Sequence, residues 1–516
     1  ILNAYGKTTA RWQLDPARLA GDSTTLAGLA WSFYRAGVRG QADSSASRVA
    51  AQLLDKKHST LTRLGAATYF ARGATSFENY SSELIRSART DPSPDVRMAA
   101  VSSLGKIQSD SALAALKSIV KDKGDSRVTV NAIRALGAFP YRKIKNYLYE
   151  ASTGRDVNVA VAASETILAR IDPEDWIEVS TLTNQADDWR VKANLYEAAL
   201  DAGKNKDVEK EIESKYEGAS NPYIKAAYLS CLKGYPPAFE FVKGELQTAN
   251  TAIVRTAAAG ALAGMSKGEE VSSGRRKQFA LAFRVLISSN DPAVVAIIAS
   301  ALADKESGYK ALIGTADFLH AAKDRLRLPR DNEALQAVEE ALAVFEGKNQ
   351  PAKVINEFNH PIDWNLVKSI PSDQRATIKT ARGSIVIRLL VDESPGSVAN
   401  FIDLAQKNYF DNKFFHRVVP NFVVQAGCPR GDGWGSEDYS IRSEFSSRLF
   451  RTGSVGMASA GKDTEGTQWF ITHSPTPHLD GRYTIFAEVV EGINVMDYLQ
   501  VGDQILDVVV DRPPVQ

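Results

Sequence analysis

One segment returns again and again along the first two-thirds of this 516-residue chain, and nothing else in the sequence restricts the fold as much. Asp95-Val96-Arg97-Met98-Ala99-Ala100-Val101-Ser102-Ser103-Leu104-Gly105 is answered by Ser126-Arg127-Val128-Thr129-Val130-Asn131-Ala132-Ile133-Arg134-Ala135-Leu136-Gly137. Aligned on Val96, the pattern recurs at Val128, Val159, Trp189 (its weakest match), Ile224, Val254 and Val294, at steps of about 30 to 40 residues. A unit of that length carries apolar residues at helical spacing but cannot bury them alone, so it must stack on its neighbours. Asp91-Pro92-Ser93-Pro94 and Asn290-Asp291-Pro292 supply the turn and the N-cap before the inner helix of a unit.

Small residues sit on the face that stacking would close: Ala99, Ala100, Ala132, Ala162, Ala163, Ala193, Ala226, Ala227, Ala257, Ala258 and Ala299. In period, punctuation and small faces these units resemble HEAT-type repeats. The resemblance implies pairs of antiparallel helices stacked into an array whose surface takes a protein or an extended peptide. No repeat holds a His, Cys or acidic cluster suited to chemistry, and the Asp and Arg flanking each anchor read as a structural polar ladder. Residues 1–45 read as helical with breaks. Residues 204–215 mix both charge signs at i,i+4 spacing, as a solvated helix does. Residues 268–276 read as an exposed loop ending in Arg275-Arg276, a secondary candidate for partner binding.

After a last helical pattern over 333–345, residues 348–373 bring three prolines, Trp364 and no sustained period. That texture marks a linker, dividing the chain into a helical domain over 1–347 and a second domain over 374–516. The second domain reads as short strands at 376–380, 384–390, 413–418, 422–425, 454–457, 469–472 and 484–490. Helices are expected at 395–405 and 492–499.

Within it, Phe414-Phe415-His416-Arg417-Val418-Val419-Pro420-Asn421-Phe422-Val423-Val424-Gln425-Ala426-Gly427 sets one fixed cation among apolar residues. Gly456-Met457-Ala458-Ser459-Ala460-Gly461 and Gly466-Thr467-Gln468-Trp469-Phe470-Ile471-Thr472 follow. These stretches resemble the signatures of the cyclophilin family of peptidyl-prolyl isomerases. The resemblance implies a multidomain chain, an all-α HEAT-like solenoid followed by a closed antiparallel β-barrel with two helices. It implies cis/trans isomerisation of X–Pro bonds in protein substrates. That exchange breaks no covalent bond. It faces a barrier of roughly 18–20 kcal/mol from amide resonance, and a guanidinium that hydrogen-bonds the twisted amide lowers it without nucleophile, metal or cofactor.

By the same resemblance Arg417 is the catalytic residue. Phe422, Val423, Phe470 and Leu479 form the proline pocket, with His416 and Tyr483 at its edges. Gln425 binds the substrate backbone, and Ala458, Ser459, Ala460 and Gln468 line the groove for the residues preceding proline. Taken singly, Phe422, Phe470 and Leu479 read as barrel core; the Arg and two Gln at family positions turn the reading. Many members carry Met, Asn, Trp and His where this chain has Val423, Ser459, His478 and Tyr483. The missing Trp implies weak inhibition by cyclosporin. The glycines of 427–435 lack the Lys-Ser/Thr of a phosphate loop and fit a loop beside the cleft.

The expected partners are proline-containing unfolded or extended proteins, with a further protein partner on the repeat surface. Lys+Arg 62 against Asp+Glu 61 leaves a net charge of +1, which sets up no general field for nucleic acid. No apolar run is long enough to span a membrane. Cys231 and Cys428 fall in different domains and read as free thiols. A chain starting at Ile1 suggests removal of a leading segment; the resemblance to bacterial proteins of this combination, which often sit on the envelope side, implies that location, with the cytoplasm as the alternative. The competing function is a non-catalytic scaffold that grips proline peptides.

Overall fold

The computed structural model describes residues 23–75, 77–122, 124–267 and 271–511, and the chain divides into two compact units, Ile1–Gly203 and Lys204–Gln516. In the first unit the recurring segments form the helices Pro94–Leu104, Ser126–Leu136, Val157–Arg170 and Trp189–Gly203. They alternate with Asp110–Lys121, Tyr141–Ser152 and Trp176–Leu182. Side chains cap the helix starts: Asp125 accepts from the Arg127 N–H and Asp156 from the Val159 N–H. Ala100, Ala132, Ala162 and Ala163 are fully buried, as close stacking requires. A polar ladder ties successive units. Asn131 Nδ2 donates to the Met98 carbonyl at 3.1 Å, Asn194 Nδ2 donates to Ser164 Oγ at 3.0 Å, and Arg63 pairs with Asp91 at 2.7 Å. Of the region 1–45, residues 1–22 lie outside the described residues, and Ser23–Gly37 is a helix.

The second unit opens with the same pattern in Lys206–Gly218, Pro222–Ser230, Phe239–Thr248, Ala252–Met265, Ser273–Leu286, Pro292–Leu302 and Asn332–Glu346. Asp291 accepts the Ala293 and Val294 N–H groups as N-cap and pairs with Arg255 of the preceding unit at 2.9 Å. The loop expected over 268–276 is shorter than that. Residues 268–270 lie outside the described residues, and Ser272 caps the Arg275 N–H to start a helix at Ser273. A Ser-Ser-Gly run before basic residues was a cap and not a loop. Arg275 then lies over the Phe239 ring and Arg276 donates to the Ser307 carbonyl, so this basic pair is engaged internally. Among the described residues no helix is long and apolar enough to cross a membrane.

Eight strands complete the unit: β1 (Arg375–Thr380), β2 (Gly383–Leu389), β3 (Arg417–Val419), β4 (Val423–Ala426), β5 (Ser454–Met457), β6 (Trp469–Thr472), β7 (Ile485–Glu491) and β8 (Ile505–Val510). Every pairing is antiparallel, in the order β3-β4-β6-β5-β7-β2-β1-β8. The two ends meet where the Phe415 N–H donates to the Asp503 carbonyl and the Ile505 N–H to the Lys413 carbonyl, which closes the barrel. Helix Pro395–Gln406 packs Val398, Phe401 and Ile402 into the barrel core with Trp469 and Phe486. The second expected helix is instead a 3-10 turn, Ile493–Tyr498. β8 was not anticipated: Ile505-Leu506-Asp507-Val508-Val509-Val510 alternates poorly, and Leu506 and Val509 are exposed. The 348–373 segment holds the short helix Trp364–Ser369 and lies on the barrel through Asn356, which donates to Ser440 Oγ and the Asp463 carbonyl.

Candidate active site

Strand register builds the site. Arg417 on β3 lies opposite Gln425 on β4, Gln425 opposite Phe470 on β6, and Phe470 opposite Gly456 on β5. Because strand side chains alternate, these residues and Val423 share one face. Val418, Val424, Val455, Met457, Trp469 and Ile471, on the other face, fill the barrel. On the site face, Val423, Phe470 and Leu479 join Leu390, Phe450 and Ile485 in a separate apolar cluster, against which Phe422, Ala458 and Tyr483 pack. Phe450 stacks on Phe470 at 5.6 Å between centroids, and Tyr483 meets Phe470 edge-on at 6.0 Å. Gly456 admits both rings: a Cβ there would fall 2.6 Å from Phe470 Cζ and 2.9 Å from Phe450 Cε1.

Arg417 rises at the edge of this apolar patch, its guanidinium 5.5 Å from the Phe422 ring centre. Partial burial lowers its pKa from the ordinary value, with Tyr483 opposing, and a guanidinium so perturbed stays charged. Among the described residues no carboxylate pairs with it. Its Nη1 is 3.4 Å from Gln425 Oε1, a weak contact that leaves most of its donors available. Gln425 Nε2 donates to Gln468 Oε1 at 3.1 Å, and Gln468 Nε2 donates to the Gly433 and Gly435 carbonyls, both at 3.2 Å. The chain of amides therefore runs from the glycine loop to the cation and fixes which end of each Gln faces it.

That loop depends on backbone conformations only glycine adopts freely: Gly427, Gly431, Gly433 and Gly435 all have φ between 70° and 87°. Cys428 anchors it from inside, accepting the Gly433 N–H at 3.3 Å, and burial pushes its thiol pKa up. A thiol of that kind is unreactive.

The sequence-derived residues divide into three places. Phe422, Val423, Phe470, Leu479 and Tyr483 lie together in the apolar patch beside Arg417. Gln425, Ala458, Ser459, Ala460 and Gln468 line an adjoining cleft. His416 lies apart from the apolar cluster, against the glycine loop, where a Cβ on Gly433 would be 3.3 Å from its Cδ2. Burial lowers the His416 pKa to about 4. Sequence reasoning missed Phe450 and Leu390 beneath the patch, since neither lies in a signature stretch. His478, where many family members carry Trp, stacks its imidazole on Phe422 at 5.5 Å. Among the described residues no group of His, Cys, Asp and Glu is arranged to hold a metal.

Comparison with known proteins returned two family models. "Cyclophilin type peptidyl-prolyl cis-trans isomerase/CLD" matches residues 375–515 and "HEAT repeats" matches residues 47–137. The chain is 40% identical over 136 residues to a peptidyl-prolyl cis-trans isomerase of Synechococcus elongatus, covering 26% of this chain and 94% of that protein. It is 41% identical over 138 residues to one of Helicobacter pylori (26% and 85%), and 42% identical over 129 residues to peptidyl-prolyl cis-trans isomerase B of Bacillus subtilis (25% and 90%). A crystal structure of a Cryptosporidium parvum cyclophilin type isomerase matches at 29% identity, covering 27% of this chain and 99% of that one, with a TM-score of 0.26.

Proposed function

The chain belongs to the cyclophilin-type peptidyl-prolyl cis-trans isomerases, and from that premise we propose that Arg417 drives isomerisation of X–Pro bonds in extended or unfolded protein segments. The observation that carries this is a cation with no carboxylate partner among the described residues, standing over an apolar patch and met by Gln425, which Gln468 orients. The proline ring sits on Phe422, Val423, Phe470 and Leu479, where apolar burial holds it still. Arg417 donates to the amide as it twists and loses resonance, an interaction strongest when the nitrogen lone pair is free. That is stabilisation of the transition state over the ground state. Gln425 holds the substrate backbone, and the residues preceding proline run along Ala458, Ser459, Ala460 and Gln468. Tyr483 and His478 border the pocket, and the small His478 ring supports weak cyclosporin binding.

In this reading residues 1–347 form a protein-binding array, 348–373 connect it, and 374–516 perform the isomerisation. The array raises the local concentration of substrate at the barrel, and the physiological outcome is faster protein folding. A protein whose refolding has a slow phase limited by an X–Pro bond, tens to hundreds of seconds at 25 °C, tests this. The intact chain is expected to shorten that phase in proportion to its concentration and Arg417→Ala to leave it unchanged. Acceleration by both proteins alike would dismiss Arg417 as the catalytic residue.

A further inference from the structure

The cleft beside Gln425 and Gln468 is not walled by the barrel alone. Pro329, Arg330, Asn332 and Glu333, at the start of helix Asn332–Glu346, line its far side opposite Ala458, Ser459 and Gln468. Three contacts within the same compact unit tie the helical repeats to the glycine loop. Tyr223 Oη donates to the Gly431 carbonyl at 2.7 Å, Thr256 Oγ1 to Asp432 Oδ2 at 2.7 Å, and Arg430 pairs with Asp291 at 2.6 Å. The helical repeats thus supply part of the groove in which the residues preceding proline lie.

The charges on this wall do not cancel. Arg330 is spent on Asp331 at 2.9 Å and on Asp438 at 3.6 Å. Asp432 is paired with Arg430. Glu333 has no cationic partner among the described residues. Its protein surroundings and Asp432 push its carboxyl pKa up, against a hydrogen bond from the Gly435 N–H. An unpaired, exposed carboxylate at the rim of a cleft is stabilised by a cation brought with the ligand. A second observation also points to a ligand. Asn332, 5% exposed, lines the same cleft, and among the described residues neither of its side-chain amide atoms has a hydrogen-bond partner, a deficit that an extended peptide backbone makes good once the side chain turns toward the cleft.

Resting on the isomerase reading above, we propose that Glu333, set by the helical repeats, makes this a composite groove that selects substrates carrying Lys or Arg shortly before the isomerised proline. Three peptides sharing one Ala-Pro-Phe end, with Lys-Lys, Glu-Glu or Ala-Ala before it, test the selection on the full chain at low salt. The expected kcat/KM ratio of Lys-Lys to Glu-Glu is roughly fivefold or more, falling as salt screens the exposed carboxylate. Glu333→Gln is expected to bring that ratio to about one, and because it is a ratio it cancels any loss of active protein. Arg330→Ala, which removes the offsetting cation, is expected to raise it. A ratio near one in the native chain with turnover intact, or a ratio that Glu333→Gln leaves unchanged, overturns the inference while sparing the isomerase reading. Failure to turn over any of the three peptides overturns both.

Discussion

Trp469 and Phe470 are neighbours in the chain and part company in space. Trp469 faces the barrel core against Phe401, Phe410 and Phe415, whereas Phe470 faces the site against Phe450 and Tyr483. Alternation along a strand makes that division, and it explains why bulk and apolarity alone do not separate pocket from core. His416 illustrates the limit of reading roles from sequence. Its position in the signature suggested a pocket edge, but its surroundings are the glycine loop, with Asp432 and Arg417 as the charged neighbours. Burial holds its pKa near 4, below the roughly 6.5 of an unfolded histidine. The unfolded chain therefore binds the proton first as pH falls. Stability tied to this group is complete above about pH 6.5 and declines as pH falls towards 4, by roughly 3 kcal/mol at most. An imidazole NMR titration is expected to place the His416 midpoint near 4; a midpoint above 6 would contradict the packing described for it.

Among elements, β5 and β6 were legible to the residue because all four positions of each are buried and only Ser454 and Thr472, at their outer ends, are polar. The stretch 413–416 was not. It bonds to 503–505 in an irregular closure, and β3 itself is only Arg417–Val419. No local pattern encodes a bond to a partner ninety positions away. The glycine loop was legible as a loop but not as a support. Gly427 shows why it supports: its φ is 84°, and a Cβ there would fall 2.2 Å from the Thr467 carbonyl oxygen, at the point where Thr467 Oγ1 donates back to the Gly427 carbonyl at 2.9 Å. Gly427→Ala is expected to destabilise the barrel by roughly 2 kcal/mol or more. Faster hydrogen exchange at the amides of 424–426 and 469–471 reads this loss. Unchanged protection there would mean the backbone relieves the clash without disturbing the strands.

At the scale of the molecule, the repeats were legible from their period, and the signature stretches located the isomerase domain. What the sequence withheld is the contact between the later repeats and the barrel. Tyr223 with Gly431, Thr256 with Asp432 and Asp291 with Arg430 lie 208, 176 and 139 positions apart. None of these side chains differs in kind from an ordinary surface residue, so only the fold pairs them. Their effect is to seat the loop whose carbonyls orient Gln468, and through it Gln425, beside Arg417. Isomerisation therefore stands or falls on that guanidinium. Two-dimensional exchange NMR on an Ala-Pro-Phe peptide, with the intact chain and with Arg417→Ala, tests it most directly. Fast cis/trans exchange with the native chain, and exchange slower by about two orders of magnitude with a variant that still binds the peptide, is the predicted result. Peptide binding by the native chain with exchange left at the uncatalysed rate would contradict it.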